Sequence, residues 1–336
     1  MRYSGLMTSQ LALGAADALP QTSYSDLQRF ANCRRSWHLG TYLGLRRKEE
    51  PMHGPLPFGG RIHKALELWR NGVFASPAAA YAALVAQDIE IAKENGLFTE
   101  HLDKEAKLGQ VMLEGYVEWL DETGEDARFE TLSIETPLSE ILQVPTLDGE
   151  VVEVLLRGKL DRRLRRKTDN AVLVSDYKTT SSLSPDSIGM FARSVQARLY
   201  LLLERQQAPK EQWSAGFHIA ILRKVLRTKA SKPPYYASLE IAVSTANLRA
   251  AEQNISAVVT EMQQVRTALD HGGKPEHWAP FHISWQCKTC PFKLPCEQMQ
   301  DGNWSGARDM LIDLYEVGDP FARYQRDEDD GVGWAG

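Results

Sequence analysis

Cysteine is scarce in this chain, four residues among 336. That density excludes a disulfide-dense secreted scaffold, since such scaffolds are short and carry several bridges. Long apolar runs are missing as well. No stretch approaches the roughly 18 residues a membrane-spanning helix needs, so no membrane partner is expected. Neither sign of charge dominates: 39 Lys and Arg stand against 44 Asp and Glu, a net charge of −5. A small basic DNA-binding module is therefore excluded, but a local basic groove is not. The Gly-x4-Gly-Lys-Ser/Thr phosphate loop is absent, so the chain carries no nucleotide-driven motor. No internal repeat is visible.

What is present is ordinary for a globular protein. Hydrophobic residues make up 43% and charged residues 25%, enough for a sizeable core. The length fits about two domains or one elaborated α/β domain. Residues 1–21 resemble a signal peptide only weakly, because Ser9 and Gln10 interrupt the apolar stretch and Arg2 is its one basic residue. A disordered leader is the expectation. Ser25 and Gln28 read as a capping box, opening a helix that holds Cys33 near its middle. A Pro- and Gly-rich loop over 51–60 leads to a helix over 61–70, closed by Asn71-Gly72. Residues 73–128 read as a helical insertion. The hydrophobic period then changes. Strands are predicted over 129–143, 150–166, 171–178, 215–222 and 235–243. A helix is predicted over 185–206 and another from Ser244 to Gly272. Residues 301–336 form a tail.

Asp176 and Lys178 are two apart on a predicted strand and share a face. If the turn between the two strands is centred between Thr168 and Asp169, residues whose numbers sum to 337 lie opposite each other. Asp161 then faces Asp176, with Cβ atoms about 5 Å apart. Two facing like charges are destabilising unless something positive lies between them, and a divalent cation removes that cost. Hard oxygen ligands suit Mg²⁺ or Mn²⁺. His63 and Glu67, and Gln196 and Tyr200, are i, i+4 pairs on predicted helices.

Three cysteines stand together, Cys287-Lys-Thr-Cys290-Pro-Phe-Lys-Leu-Pro-Cys296, and the fourth, Cys33, is some 250 residues earlier. Four thiolates suit either [4Fe–4S] or Zn²⁺. Structural zinc sites usually draw on two close pairs, whereas here one pair joins two singles, so the spacing favours iron–sulfur. Basic residues gather in two places: Arg162, Arg163, Arg165 and Arg166 after Asp161, and Arg223, Lys224, Arg227, Lys229 and Lys232 before Pro-Pro-Tyr-Tyr. Basic residues beside aromatics suit a nucleic-acid backbone groove, and Arg162, Arg163, Arg223, Lys224 and Arg227 are the candidate contacts.

The motifs Gly59-x-x-x-His63-x-x-Leu-Glu67, Gly158-x-x-Asp161, Asp176-Tyr-Lys178 and Gln196-x-x-x-Tyr200 occur in that order, with one early cysteine and a late Cys-x2-Cys-x5-Cys. Together they resemble the PD-(D/E)XK nuclease superfamily in its RecB-like branch, most of all its iron–sulfur members, the Cas4 proteins and the AddB nuclease domain. The resemblance spans roughly residues 22–297. It implies an α/β restriction-endonuclease-like core, a mixed central sheet flanked by helices, within a nuclease domain over 22–300. It implies that His63, Asp161, Asp176 and the Tyr177 carbonyl bind Mg²⁺ or Mn²⁺. Lys178 would be the catalytic lysine, with Gln196 and Tyr200 orienting the site. Cys33, Cys287, Cys290 and Cys296 would hold a [4Fe–4S] staple joining the N- and C-terminal segments, with the cluster segment at 287–296. The expected activity is a metal-dependent DNA exonuclease in recombination, repair or phage DNA metabolism, in the bacterial or phage-infected cytoplasm. DNA is the expected partner, with a helicase or recombination protein, and a homo-oligomer is allowed. The rivals are a Cas4-like nuclease of CRISPR adaptation and a catalytically silent nucleic-acid-binding scaffold subunit.

Overall fold

The period-2 alternation expected near residue 160 becomes a long strand in which every second residue from Val154 to Leu164 is buried. This follows from the strand geometry, which sends successive side chains to opposite faces. The computed structural model describes residues 19–49, 51–145, 149–207, 210 and 213–324. The expected leader lies almost wholly outside these residues, as does the end of the tail. Contacts divide the chain into two compact units. The first comprises Met1–Glu50, Ser139–Gly158 and Glu252–Gly336, and the second Pro51–Leu138 and Lys159–Ala251.

In chain order the sheet elements are β1 (Gln21–Ser23), β2 (Leu45–Arg47), β3 (Phe129–Pro145), β4 (Val151–Arg166), β5 (Val172–Thr180), β6 (Gly216–Arg223), β7 (Tyr236–Ala242) and β8 (Tyr315–Val317). The large sheet runs β1-β4-β5-β6-β7, with β3 also pairing β4. It is mixed: β4 is antiparallel to β5, β5 parallel to β6, and β6 antiparallel to β7. The β4–β5 register pairs Arg162 with Ser175 and Leu164 with Leu173. Each pair sums to 337, the register expected from the sequence. A tight turn at Thr168 and Asp169, with Asn170 at φ 59°, sets it.

The helices are α1 (Tyr24–Asn32), α2 (Arg34–Trp37), α3 (Pro55–Arg70), α4 (Pro77–Glu94), α5 (Glu100–Thr123), α6 (Pro185–Ala192), α7 (Val195–Gln207), α8 (Thr245–Asp270), α9 (Pro275–Trp278), α10 (Lys293–Gln300) and α11 (Trp304–Leu314). In the second unit, α3, α4 and α5 pack on one face of the sheet. Ile62, Leu66, Tyr81, Leu113 and Tyr116 form a core there with Tyr177, Ala220 and Leu222 from the strands. Gly109 lets α5 approach α4, because a Cβ there would meet the Tyr81 ring at 2.2 Å. In the first unit, Leu39 and Leu45 pack with Phe292, Met299, Leu311 and Tyr315, and β2 pairs antiparallel with β8. Segments from near both ends of the chain thus share one core.

Three local expectations shift. Ser23, not Ser25, caps α1, with its side chain accepting from Asp26 N–H; Ser23-x-x-Asp26 is an equally good capping pattern. The helix expected to run through Cys33 breaks there, with Cys33 extended at φ −162° and ψ 108° between α1 and α2. The helix expected from Arg61 begins at Pro55, since Pro is tolerated in the first turn. Among the described residues no helix is long and apolar enough to cross a membrane.

Candidate active site

The β4–β5 register carries Asp161 opposite Asp176 at the point where the two strands part. Asp161 Oδ2 accepts from Tyr177 N–H at 2.8 Å and lies 3.2 Å from His63 Nδ1 on α3. Lys178 Nζ lies 2.5 Å from Asp176 Oδ2 and donates to Gln196 Oε1 at 2.9 Å. Gln196 Nε2 in turn donates to the Tyr200 hydroxyl at 2.9 Å. The i, i+4 spacing on α7 makes that last contact, and Ser194, accepting from Ala197 N–H, helps start α7 where it does. His63, Asp161, Asp176, Tyr177, Lys178, Gln196 and Tyr200 therefore belong to one connected cluster.

The electrostatics set the two carboxylates apart. Burial and the nearby Asp161 charge raise the Asp176 pKa, against the pull of Lys178. Burial also acts to raise Asp161, but His63, the Tyr177 N–H and Lys178 outweigh it and hold Asp161 below the ordinary carboxylate value. Burial opposes a charge on His63, yet Asp161 and Asp176 raise its pKa overall. Asp161 thus lies against His63, and the buried Asp176 against Lys178. Hard oxygen and imidazole donors of this kind fit a divalent cation. Among the described residues no three His, Cys, Asp or Glu side chains are gathered tightly enough to hold a metal as they stand.

Two residues with no motif of their own join the neighbourhood. Lys159, two before Asp161 and on its face of β4, pairs with Glu135 at 2.5 Å. Burial raises the Glu135 pKa, and Lys159 opposes this while Asp161 and Glu67 add to it. The strand spacing from Asp161 was the signal that could have found Lys159. Glu135 sits at a positive φ of 49° in β3 and leaves no local sequence signature. Glu67 pairs with Lys64 at 2.9 Å.

The first basic cluster is not a groove. Successive strand residues face opposite ways, so Arg162 and Arg163 part company. Arg162 is buried, donating to the Tyr177 hydroxyl at 3.0 Å and Thr131 Oγ1 at 2.7 Å. Arg163 lies 2.6 Å from Glu204, itself buried. Arg165 pairs with Glu130, and Arg166 with Asp169 and Glu240. Of the two expected nucleic-acid contacts here, Arg162 is therefore buried and Arg163 partly buried, and both are paired within the protein. In the second cluster Arg227 pairs with Glu118 at 2.5 Å, and Arg223 donates to the Lys232 and Pro234 carbonyls.

The four cysteines all lie in the first unit, partly buried and free of disulfides. Burial raises the Cys290 thiol, and Cys33 and Cys287 are near enough to add to it. Burial likewise raises Cys296, with Cys290 and Cys33 contributing. Thiolates suit a cluster or zinc by donor type, and Cys290 and Cys296 each have Cys33 as a neighbour.

A family model of the PD-(D/E)XK nuclease superfamily matches residues 21–297. The chain belongs to the PD-(D/E)XK nuclease superfamily. The match includes His63, Asp161, Asp176, Lys178, Gln196 and Tyr200 and reaches the last cysteine, Cys296. Nucleases of this superfamily usually use divalent metals such as Mg²⁺ or Mn²⁺. No functionally curated protein matches the chain. Among solved structures it is similar to one known as SSO0001, at 13% identity and a TM-score of 0.34, covering 86% of this chain and 90% of that one. It is also similar to a protein of Eubacterium rectale named as a presumed exonuclease. The identity there is 12% and the TM-score 0.45, with 79% and 85% of the two chains covered.

Proposed function

We propose that this superfamily member is a metal-dependent DNA exonuclease of the RecB-like class, acting in recombination, repair or phage DNA metabolism. The observation that carries the reading is the meeting of Asp161 and Asp176 beside Lys178, with His63 on the adjoining helix. His63, Asp161, Asp176 and the Tyr177 carbonyl would hold Mg²⁺ or Mn²⁺. When bound, the cation lowers the pKa of water and stabilises negative charge on the phosphoryl group. The chain's own residues do the rest. Tyr177 N–H fixes one Asp161 oxygen. Lys178, steered by Gln196 and through it by Tyr200, presents a cation to the attacking water and the developing phosphorane charge. Hydrolysis joins the water oxygen to phosphorus and breaks the bond to the 3′ oxygen, which takes up a proton, leaving a 5′-phosphate. The exonuclease assignment follows from the RecB-like order of the motifs.

The same reading gives Cys33, Cys287, Cys290 and Cys296 a [4Fe–4S] cluster that staples the N- and C-terminal segments of the first unit. Their placement in one unit, with Cys33 near both Cys290 and Cys296, supports it. A structural role is the simplest, since the candidate chemistry lies in the second unit.

Purified protein incubated with Mn²⁺ and end-labelled single- and double-stranded DNA tests the reading. Metal-dependent release of labelled nucleotides, lost in Asp176→Ala and Lys178→Ala, is expected. Equal behaviour of parent and variants, with no metal-dependent cleavage, rejects it in favour of a silent nucleic-acid-binding subunit.

A further inference from the structure

We propose that the groove beyond the end of β5 and β6 is a backbone-phosphate subsite for a single nucleic-acid strand threading toward Lys178. This deepens, and rests on, the nuclease reading above. The groove has a volume of about 860 Å³ and is lined by Leu108, Arg223, Lys224, Val225, Leu226 and Lys232, among others.

Its position ties it to the candidate centre. Thr180 lies two residues beyond Lys178 on β5 and pairs with Arg223 on β6. Lys224 N–H donates to the Thr180 carbonyl at 2.6 Å. With a strand rise of about 3.3 Å per residue and strands about 4.8 Å apart, the Arg223 and Lys178 backbones are about 8 Å apart. The groove thus lies at the same end of the sheet as Lys178, about two residues further along.

Its charge is available, unlike that of the first basic cluster. Glu118 is taken by Arg227, and among the described residues neither Lys224 nor Lys232 has a carboxylate within ion-pair distance. On a chain of net charge −5 this is a local reversal of sign, and clefts of one sign concentrate oppositely charged ligands.

The loop that forms the groove is also held in shape. Arg223 Nη1 donates to the Lys232 carbonyl at 2.9 Å and the Pro234 carbonyl at 3.4 Å. Ser231 Oγ accepts from Thr228 N–H and donates to the Thr228 carbonyl, both at 2.9 Å. Tyr235 donates its hydroxyl to the Ser231 carbonyl at 2.8 Å. A held loop carrying two lysines, with Leu108, Val225 and Leu226 in the same lining, offers cations to phosphates and apolar surface to sugars and bases.

The test is the Lys224→Ala/Lys232→Ala double variant against the parent. Binding of a labelled single-stranded oligodeoxynucleotide is followed by anisotropy without divalent metal at several salt concentrations, and Mn²⁺-dependent cleavage is followed separately. The expected result is a Kd and KM raised about 10-fold or more, and a salt slope reduced by about 1.4, roughly 0.7 for each lysine–phosphate pair removed. The cleavage rate at saturation should be unchanged, and Lys224→Arg/Lys232→Arg should behave as the parent. If the parent cleaves DNA while the double variant keeps its Kd and salt slope, the groove proposal is overturned and the nuclease reading stands. If the parent binds through these lysines but cleaves nothing with any divalent metal, the groove stands and the nuclease reading falls. If the parent binds no oligonucleotide, both fall.

Discussion

Arg162 Nη1 donates to the hydroxyl of Tyr177 at 3.0 Å on the sheet face opposite Asp176 and Lys178. Arg162 also reaches Asp126, which Arg70 holds through both its carboxylate oxygens at 2.6 and 2.7 Å. The Tyr177 side chain is thereby anchored beneath the site, while its backbone N–H serves Asp161 above it. Tyr177→Phe removes one acceptor from a buried guanidinium, and a loss of about 1–3 kcal/mol of stability is expected. Because the N–H to Asp161 is a backbone contact, cleavage per folded molecule should change only a few-fold. Chemical denaturation beside the Mn²⁺ assay checks both halves. A large loss of turnover in a normally stable Tyr177→Phe protein would show that the hydroxyl acts on more than packing.

Asp176 is buried and faces the like charge of Asp161, and burial and that charge together raise its pKa. Asp176→Asn keeps the shape and removes one of the charges. It should abolish metal-dependent cleavage and raise stability, by about 1 kcal/mol. Lys178→Met should reduce turnover by about 10²–10³, the range for losing one preorganised donor to transition-state charge. Gln196→Ala, acting through Lys178, should fall short of that. Melting curves for Asp176→Asn that drop below the parent would refute the claim that the carboxylate pair is a strain.

The register that brings Asp161 to Asp176 was legible in the sequence because a short turn over residues 167–170 and strand alternation leave few ways to pair β4 with β5. The Lys178–Gln196–Tyr200 chain was legible for a similar reason, one strand period followed by one helical period. Arg162 was misread because a run of arginines looks like a patch until strand parity divides it between two faces. The break at Cys33 leaves no mark in helix propensity. Glu135 could not be found because it reaches Lys159 from another strand through a positive φ, a relationship that exists only after folding.

Two groups give the fold a defined acid sensitivity. His38 is pulled down to about 3 from its ordinary 6.5 by burial and by the charge of Arg35. Between those values the unfolded chain binds a proton that the native state refuses, so stability falls as pH falls from 6.5 toward 3. Over the first two pH units the loss is about 2–3 kcal/mol at 1.36 kcal/mol per unit. Glu125 is held at about 2, below its ordinary 4.5, chiefly by its hydrogen bond with His218. Its contribution is present above 4.5 and is lost as pH falls toward 2. Urea midpoints measured from pH 7 to 4.5 should therefore decline in the parent and flatten in His38→Asn. An equal slope in both proteins would place the acid sensitivity elsewhere.

Gly109 in α5 faces the Tyr81 ring so closely that an added Cβ would sit 2.2 Å from it. Tyr81 is fully buried, and its hydroxyl donates to the Glu105 carbonyl at 3.1 Å. The ring therefore has little room to retreat. In an open helix position Gly→Ala stabilises by roughly 0.4–1 kcal/mol. Here overpacking should reverse the sign and lower stability by about 1–3 kcal/mol. The double variant Gly109→Ala/Tyr81→Leu, which frees the space, should recover part of the loss, giving a coupling well above the experimental error of a double-mutant cycle. Additive effects would mean that α4 and α5 shift apart at no cost. Because this core also packs beneath Tyr177, Gly109→Ala should lower thermal stability more than it lowers cleavage at temperatures where the protein stays folded.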